Sequence, residues 1–171
     1  MAVATLVTLE EYLSTSYRPD REFVDGRLIE RNVGEFNHSF LQGAIWEMLK
    51  NFGLRAYVEL RFQVRQNSFR IPDVLALAPG QKRAARYLAE PPYIVVEVLS
   101  PEDRVSALTE SLSDYFEKGV PNVWVVDPEA QTLTVHEPGK ARIVRDRVET
   151  HDGAVSLDVA DLFRRMAEDG E

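Results

Sequence analysis

Apolar and polar residues alternate along this chain in two registers, one helical and one extended. Thr8 and Glu11 have capping-box spacing around Leu9, so a short helix is expected to run to about Leu13. Arg21-Glu22-Phe23-Val24 and Arg27-Leu28-Ile29-Glu30 are short β-like runs on either side of Asp25-Gly26. That dipeptide reads as a type I′ hairpin turn. Phe40, Leu41, Ala44, Ile45, Met48, Leu49 and Phe52 recur at three- and four-residue spacing. They predict an amphipathic helix, capped by Asn37 and ended by Gly53.

The clearest alternation follows. Val58, Leu60, Phe62 and Val64 alternate with Tyr57, Glu59, Arg61, Gln63 and Arg65, which predicts one strand with an apolar and a polar face. After a turn near Asn67-Ser68, Ile71 to Leu77 reads as a strand. Residues 78–92 read as a loop with one helical turn, bounded by Pro79-Gly80 and Pro91-Pro92. Tyr93 to Leu99 is a nearly continuous apolar run, the mark of a strand buried on both faces.

Val105, Leu108, Leu112, Tyr115 and Phe116 form the core stripe of a helix that ends before Gly119. Val123 to Val126 predicts a further buried strand, and residues 131–136 with 140–149 a polar outer hairpin. Leu157, Val159, Leu162 and Phe163 fit a terminal strand or helix. Trp46 and Trp124 read as core. The order of elements implies an α/β or α+β fold with helices packed on a central sheet.

At 171 residues the chain suits one domain spanning 1–171. The absence of cysteine excludes a disulfide scaffold, thiol catalysis and a Cys-ligated zinc site. It also fits a reducing cytoplasmic setting. A net charge of −8 disfavours tight non-specific nucleic-acid binding through a broadly basic surface, but leaves room for a local basic cleft. No apolar run reaches 18 residues and no signal peptide is apparent, so a cytoplasmic location without a membrane span is expected. There is no G-x-S-x-G elbow, no H-E-x-x-H and no Gly-rich phosphate loop.

Asp73 and Glu97 stand out because each interrupts a run of apolar strand residues. Burying an unpaired carboxylate costs several kcal/mol, on the order of a domain's whole stability. A positive partner is therefore required. A structural ion pair with an arginine such as Arg61 or Arg70 would supply it, and so would a divalent metal. Hard cations such as Mg²⁺ use one or two carboxylates and complete their shell with water.

At these residues the chain resembles the bacterial restriction-endonuclease family often called Uma-two, within the PD-(D/E)xK nuclease superfamily. The resemblance is carried by Glu22, Asp25-Gly26, His38, Arg70-Ile71-Pro72-Asp73-Val74 and Glu97-Val98-Leu99-Ser100-Pro101. Tyr115, Gly119-Val120-Pro121, Trp124 and Val126-Asp127-Pro128 continue it, so it covers roughly residues 8–165. It implies a restriction-endonuclease-like mixed sheet flanked by helices. It also implies that Asp73, Glu97 and the Val98 carbonyl hold Mg²⁺ or Mn²⁺, with Glu22 as an additional acid. The implied reaction is metal-dependent hydrolysis of DNA phosphodiester bonds.

Two positions depart from the family's pattern. The superfamily often has a lysine where this chain has Leu99, and the family tends to carry it on the next helix, where this chain has Ser111. The acid that usually precedes that lysine is Ala107. Loss of one such electrostatic group typically costs about 10²–10³ in rate. Lys118 and Arg104 are the candidate substitutes. Lys118 lies on the same helix face as Ser111, but about 10.5 Å further along at ~1.5 Å per residue.

His38, Arg61, Arg70, Ser100 and Arg104 are the candidates for contact with substrate phosphates. Tyr115 lies on the core stripe and reads as packing. The main alternative to an active enzyme is a catalytically weakened nuclease fold kept as a binding or assembly module. A homodimer is expected, because nucleases that cut both strands commonly act as pairs and two-fold dimers are the commonest oligomers.

Overall fold

A computed structural model describes residues 6–31, 34–83, 86–101 and 105–170. Helix α1 (Leu9–Ser14) begins as the capping box predicts, with the Thr8 hydroxyl accepting from the Glu11 amide at 3.1 Å. Strands β1 (Arg21–Val24) and β2 (Arg27–Glu30) pair antiparallel around Asp25 and Gly26, whose φ values are +48° and +86°. A type I′ turn needs both residues left-handed, and Gly26 adopts that conformation without steric penalty.

Helix α2 (Phe36–Asn51) buries Leu41, Ala44, Ile45 and Leu49 as its spacing predicts. Its cap is Glu35 rather than Asn37, which lies inside the first turn, and Phe52 at its far end is exposed. The strand expected over residues 57–65 divides in two. Strand β3 (Arg55–Val58) and strand β4 (Phe62–Arg65) enter different sheets, with Glu59 at φ +50° in the break. No glycine or proline marks this point, so the alternation continued across it. The two halves share no face, and Phe62 is fully buried while Val58 is exposed.

Strand β5 (Ser68–Arg70) pairs with β4. Strand β6 (Val74–Leu77) starts later than expected, so Ile71-Pro72-Asp73 lead into it. No helical turn occurs among the described residues of 78–92. Strand β7 (Ile94–Val98), helix α3 (Val105–Lys118) and strand β8 (Asn122–Asp127) form a crossover unit, because β7 and β8 are parallel. Val105, expected on the core stripe of α3, is 82% exposed.

Strand β9 (Thr132–Glu137) and strand β10 (Lys140–Val144) make the outer hairpin. It is shorter than predicted, because β11 (Arg147–Glu149) leaves it to pair with β12 (Ser156–Asp158). The terminal segment is both strand and helix, with Asp158 capping α4 (Val159–Asp169) at 2.8 Å.

The central sheet has the order β10-β9-β8-β7-β6-β3, and a second sheet has the order β2-β1-β5-β4. Helices α2 and α4 cover one face of the central sheet, packing on Val74, Ala76, Ile94, Val96, Val98 and Trp124. Helix α3 and strand β4 cover the other, on Leu75, Leu77, Val95, Val123 and Val125. Tyr12, Phe23 and Phe69 form a separate small core under α1. Trp46 is half-buried, with its indole N–H donating to the Ala56 carbonyl at 3.0 Å. No described helix is long and apolar enough to cross a membrane.

Candidate functional site

The central sheet brings Asp73 and Glu97 together by register. Val74 pairs with Val96 in antiparallel β6 and β7, so the next step along the ladder sets Asp73 opposite Glu97. Opposed residues of an antiparallel pair point to the same face. Each acid is also held by the other's strand. The Val98 amide donates to Asp73 Oδ2 at 2.7 Å, and the Asp73 amide donates to Glu97 Oε2 at 3.3 Å.

Two further groups grip the pair. Arg31, just beyond β2, donates through Nη2 to Asp73 Oδ1, and its Nη1 stands 3.7 Å from Glu59 Oε1. His38 Nε2, in the first turns of α2, is 3.4 Å from Asp73 Oδ2. From the opposite layer, the Tyr115 hydroxyl of α3 donates to Glu97 Oε1. Tyr115 is therefore not only packing. It reaches a carboxylate through the face of α3 that buries Leu112.

The electrostatics of the two acids diverge. Burial pushes the Asp73 carboxyl up, but the His38 hydrogen bond and the Arg31 charge outweigh it and hold Asp73 below its ordinary value. Burial and then the neighbouring Asp73 charge push Glu97 well above its ordinary value. Burial and the facing Glu97 also raise the Tyr115 phenol. Burial opposes the charge on Arg31, but Asp73, Glu97, Glu22 and Glu59 together raise its pKa. The two facing acids thus differ in proton affinity, the pattern of two carboxyls that share a site.

A second ionic cluster lies alongside. Arg70 is 3% exposed and joins Glu22 Oε2 at 2.9 Å to Asp114 Oδ2 at 2.7 Å. Glu22 Oε1 accepts from the Ile71 amide at 2.9 Å, and Arg65 donates to Asp114 Oδ1. Glu22 was expected as an extra site acid. It is close enough to act on Glu97 through its charge, but both its oxygens are committed to the β5 end. Arg70, expected at substrate phosphates, is instead buried between two acids and faces inward.

The other expected contacts are dispersed. Arg61 donates to the Thr15 carbonyl at 3.0 Å and stacks 4.5 Å above the Tyr12 ring, so it holds α1 in place. Neither Arg61 nor Arg70 is the counter-ion of Asp73; that role falls to Arg31. Ser100 and His38 line one cavity of about 240 Å³ with Glu35, Asp127 and Glu129. His38 therefore joins this cavity to the acid pair. Lys118 sits half-buried in the last turn of α3 and makes no ion pair with a described residue. Ser111 lies one turn before Tyr115 and brings no charge. Arg104 lies outside the described residues.

Sequence reasoning missed Arg31 and Asp114. Arg31 follows a hairpin strand, where arginines are ordinarily solvated, and it meets Asp73 only through tertiary contact. Asp114 had a signal: it is an acid between Leu112 and Tyr115 on the buried side of α3.

Among the described residues, no three or more His, Asp or Glu side chains are gathered as a metal cluster. Mg²⁺ needs less, since one or two carboxylates suffice when water fills the remaining positions. Asp73 and Glu97 are hard oxygen donors, and Glu97 is driven upward by burial and by the facing Asp73, whose charge a cation would offset. The donor set fits a hard divalent ion.

The model of the Uma2 family, described as "Putative restriction endonuclease", matches residues 9–167. No curated protein matches the chain. Among solved structures, a putative nuclease belonging to DUF820 from Anabaena variabilis aligns with a TM-score of 0.78 at 22% identity, over 94% of this chain and 99% of that one. That likeness shows the fold, which is restriction-endonuclease-like. A DrdV–DNA complex aligns with a TM-score of 0.41 at 14% identity, over 74% of this chain and 10% of that one.

Proposed function

The chain belongs to the Uma2 family, whose description is "Putative restriction endonuclease", and on that premise we propose that it hydrolyses DNA phosphodiester bonds with Mg²⁺ or Mn²⁺ held by Asp73 and Glu97. The observation that carries this reading is the register-opposed acid pair, which sets two buried carboxylates against each other across β6 and β7. A structural pair would be closed by its arginine. This one leaves Glu97 pushed upward by burial and by the facing Asp73.

In this reading Asp73, Glu97 and the Val98 carbonyl are the ligands. A bound divalent ion would polarise the phosphate and make water a better nucleophile near neutral pH. The chain's own groups hold the acids in place. The Val98 amide fixes Asp73, and the Tyr115 hydroxyl fixes Glu97. His38 and Ser100, in the adjoining cavity, are placed to orient the phosphate.

The test is cleavage of a supercoiled plasmid with Mn²⁺ by the wild type, Asp73→Asn and Glu97→Gln. Cleavage by the wild type and loss in both variants is the expected result. Equal cleavage by the variants would assign the activity to a contaminant and overturn the reading.

A second reading is favoured by Ser111, an uncharged residue one turn before Tyr115 where the resembling family tends to carry its lysine. It is a weakened nuclease fold serving as a binding or assembly module. Cleavage gained by Ser111→Lys, with a silent wild type, would support it. An active wild type with no gain in the variant would remove it. In either reading a pair of copies is the proposed assembly, and sedimentation as a monomer at tens of micromolar would oppose that.

A further inference from the structure

We propose that Arg31 is the resident counter-ion of the Asp73–Glu97 pair, and that it competes with a divalent cation by moving between Asp73 and Glu59. The inference rests on the metal-dependent reading above, and adds an internal competitor that governs when the pair can be loaded.

The oxygens of the pair are unequally committed. Asp73 Oδ2 receives the Val98 amide and faces His38, and Glu97 Oε1 receives the Tyr115 hydroxyl. Asp73 Oδ1 is the oxygen given to Arg31. A divalent ion drawn to Asp73 through that oxygen meets a guanidinium already seated. Two cations confined beside one carboxylate repel each other, and partial burial reduces the screening that would soften the repulsion. The Arg31 side chain is 17% exposed and that of Asp73 is 3% exposed.

A second seat stands ready. Arg31 Nη1 is 3.7 Å from Glu59 Oε1. Glu59 is fixed relative to Asp73, because its amide donates to the Asp73 carbonyl at 3.3 Å. Gln42 Nε2 bridges the same two residues, at 3.1 Å to the Asp73 carbonyl and 3.4 Å to Glu59 Oε1. Arg31 therefore has two adjacent carboxylates in a rigid frame, one buried and one open to solvent. With Arg31 on Asp73, its guanidinium offsets one of the two carboxylate charges when both acids are ionised. With Arg31 on Glu59, the pair is free to match a charge of two.

The test is Mn²⁺ binding by calorimetry on the full chain, for the wild type, Arg31→Gln, Glu59→Gln and the double variant. Removing a competing state raises apparent affinity by the reciprocal of the competent fraction, so with Arg31 on Asp73 in about nine-tenths of molecules Arg31→Gln should tighten binding by about tenfold. Glu59→Gln removes the second seat and should weaken binding by about threefold, an effect that should shrink in the Arg31→Gln background. Mn²⁺ should also raise the melting temperature of Arg31→Gln more than that of the wild type. Arg31→Lys keeps the charge without the fork that spans two carboxylates, and should fall between the two if Arg31→Gln folds poorly.

Binding by Arg31→Gln alone, with a silent wild type, supports the competition directly. Unchanged or weaker binding by Arg31→Gln beside a binding wild type overturns it and leaves the metal reading standing. An undiminished Glu59→Gln effect without Arg31 overturns the movement to Glu59. No binding by any variant overturns the metal reading, and this proposal with it.

Discussion

Two ionic clusters sit side by side in this molecule, and both are made of arginines and acids. In one, Arg70 and Arg65 serve Glu22 and Asp114, and the bonds run in a chain from the small sheet to α3. Each acid there has a guanidinium partner, and Glu22 has an amide as well. In the other, Asp73 and Glu97 face each other across β6 and β7 with Arg31 on one of them. The closed cluster ties elements together. The open one holds two acids at unequal pKa beside a cavity. Burial does not distinguish the two clusters, because Asp73 is as buried as Arg70; the way their acids are paired does.

Removing Arg70 should have the largest effect. Arg70→Met strands Glu22 and Asp114, and breaking a buried pair in this way typically costs about 3–5 kcal/mol. Urea denaturation would show it as a lowered midpoint with little change in slope. A loss below about 1 kcal/mol would mean that water or Arg65 completes the cluster, and the contrast with the open pair would weaken.

Next in size is Asp73→Asn, which should lower any Mn²⁺-dependent cleavage by about 10²–10³, the usual cost of one electrostatic element. Its fold should survive, because Val98 can still donate to the amide oxygen. Loss of folding in Asp73→Asn would place the pair with the structural cluster instead.

The pH dependence should be smaller, and its sign is set. Glu97 holds its proton more tightly when folded, so its stabilising contribution is full below about 4.5 and fades as pH rises through its raised folded value. Asp73 is depressed, so its contribution is present above 3.8 and is lost as pH falls below that. Glu97→Gln should therefore flatten the decline in stability that sets in as pH rises above about 4.5, measured without metal. An unchanged slope would show that Glu97 is not the group responsible.

The smallest effect belongs to Tyr115→Phe. It removes one hydroxyl donor from Glu97 and should cost about 1 kcal/mol, with weaker Mn²⁺ binding. Lost stability with unchanged Mn²⁺ binding would make Tyr115 a packing residue after all.

The acids themselves were legible because they broke an apolar pattern, whereas their adjacency comes from the register of β6 and β7. What escaped was the company they keep. Arg31 meets Asp73 across 42 positions of sequence, and nothing in its neighbours along the chain marks it. Asp114 lies 44 positions from Arg70, hidden in a helix whose stripe reads as ordinary core. The divided strand failed for a different reason. Its alternation is genuine over 57–65, and a left-handed glutamate breaks it where propensity gives no warning.

The mutual grip of Asp73 and Val98 carries one more consequence. A slip of a single residue between β6 and β7 would keep the strands and lose the acid pair, because successive side chains alternate between faces. Chains trapped in that slipped state could retain buried tryptophan, yet none would present the two carboxylates together. Mn²⁺ capacity after refolding would then count correctly threaded molecules, while fluorescence would count merely collapsed ones.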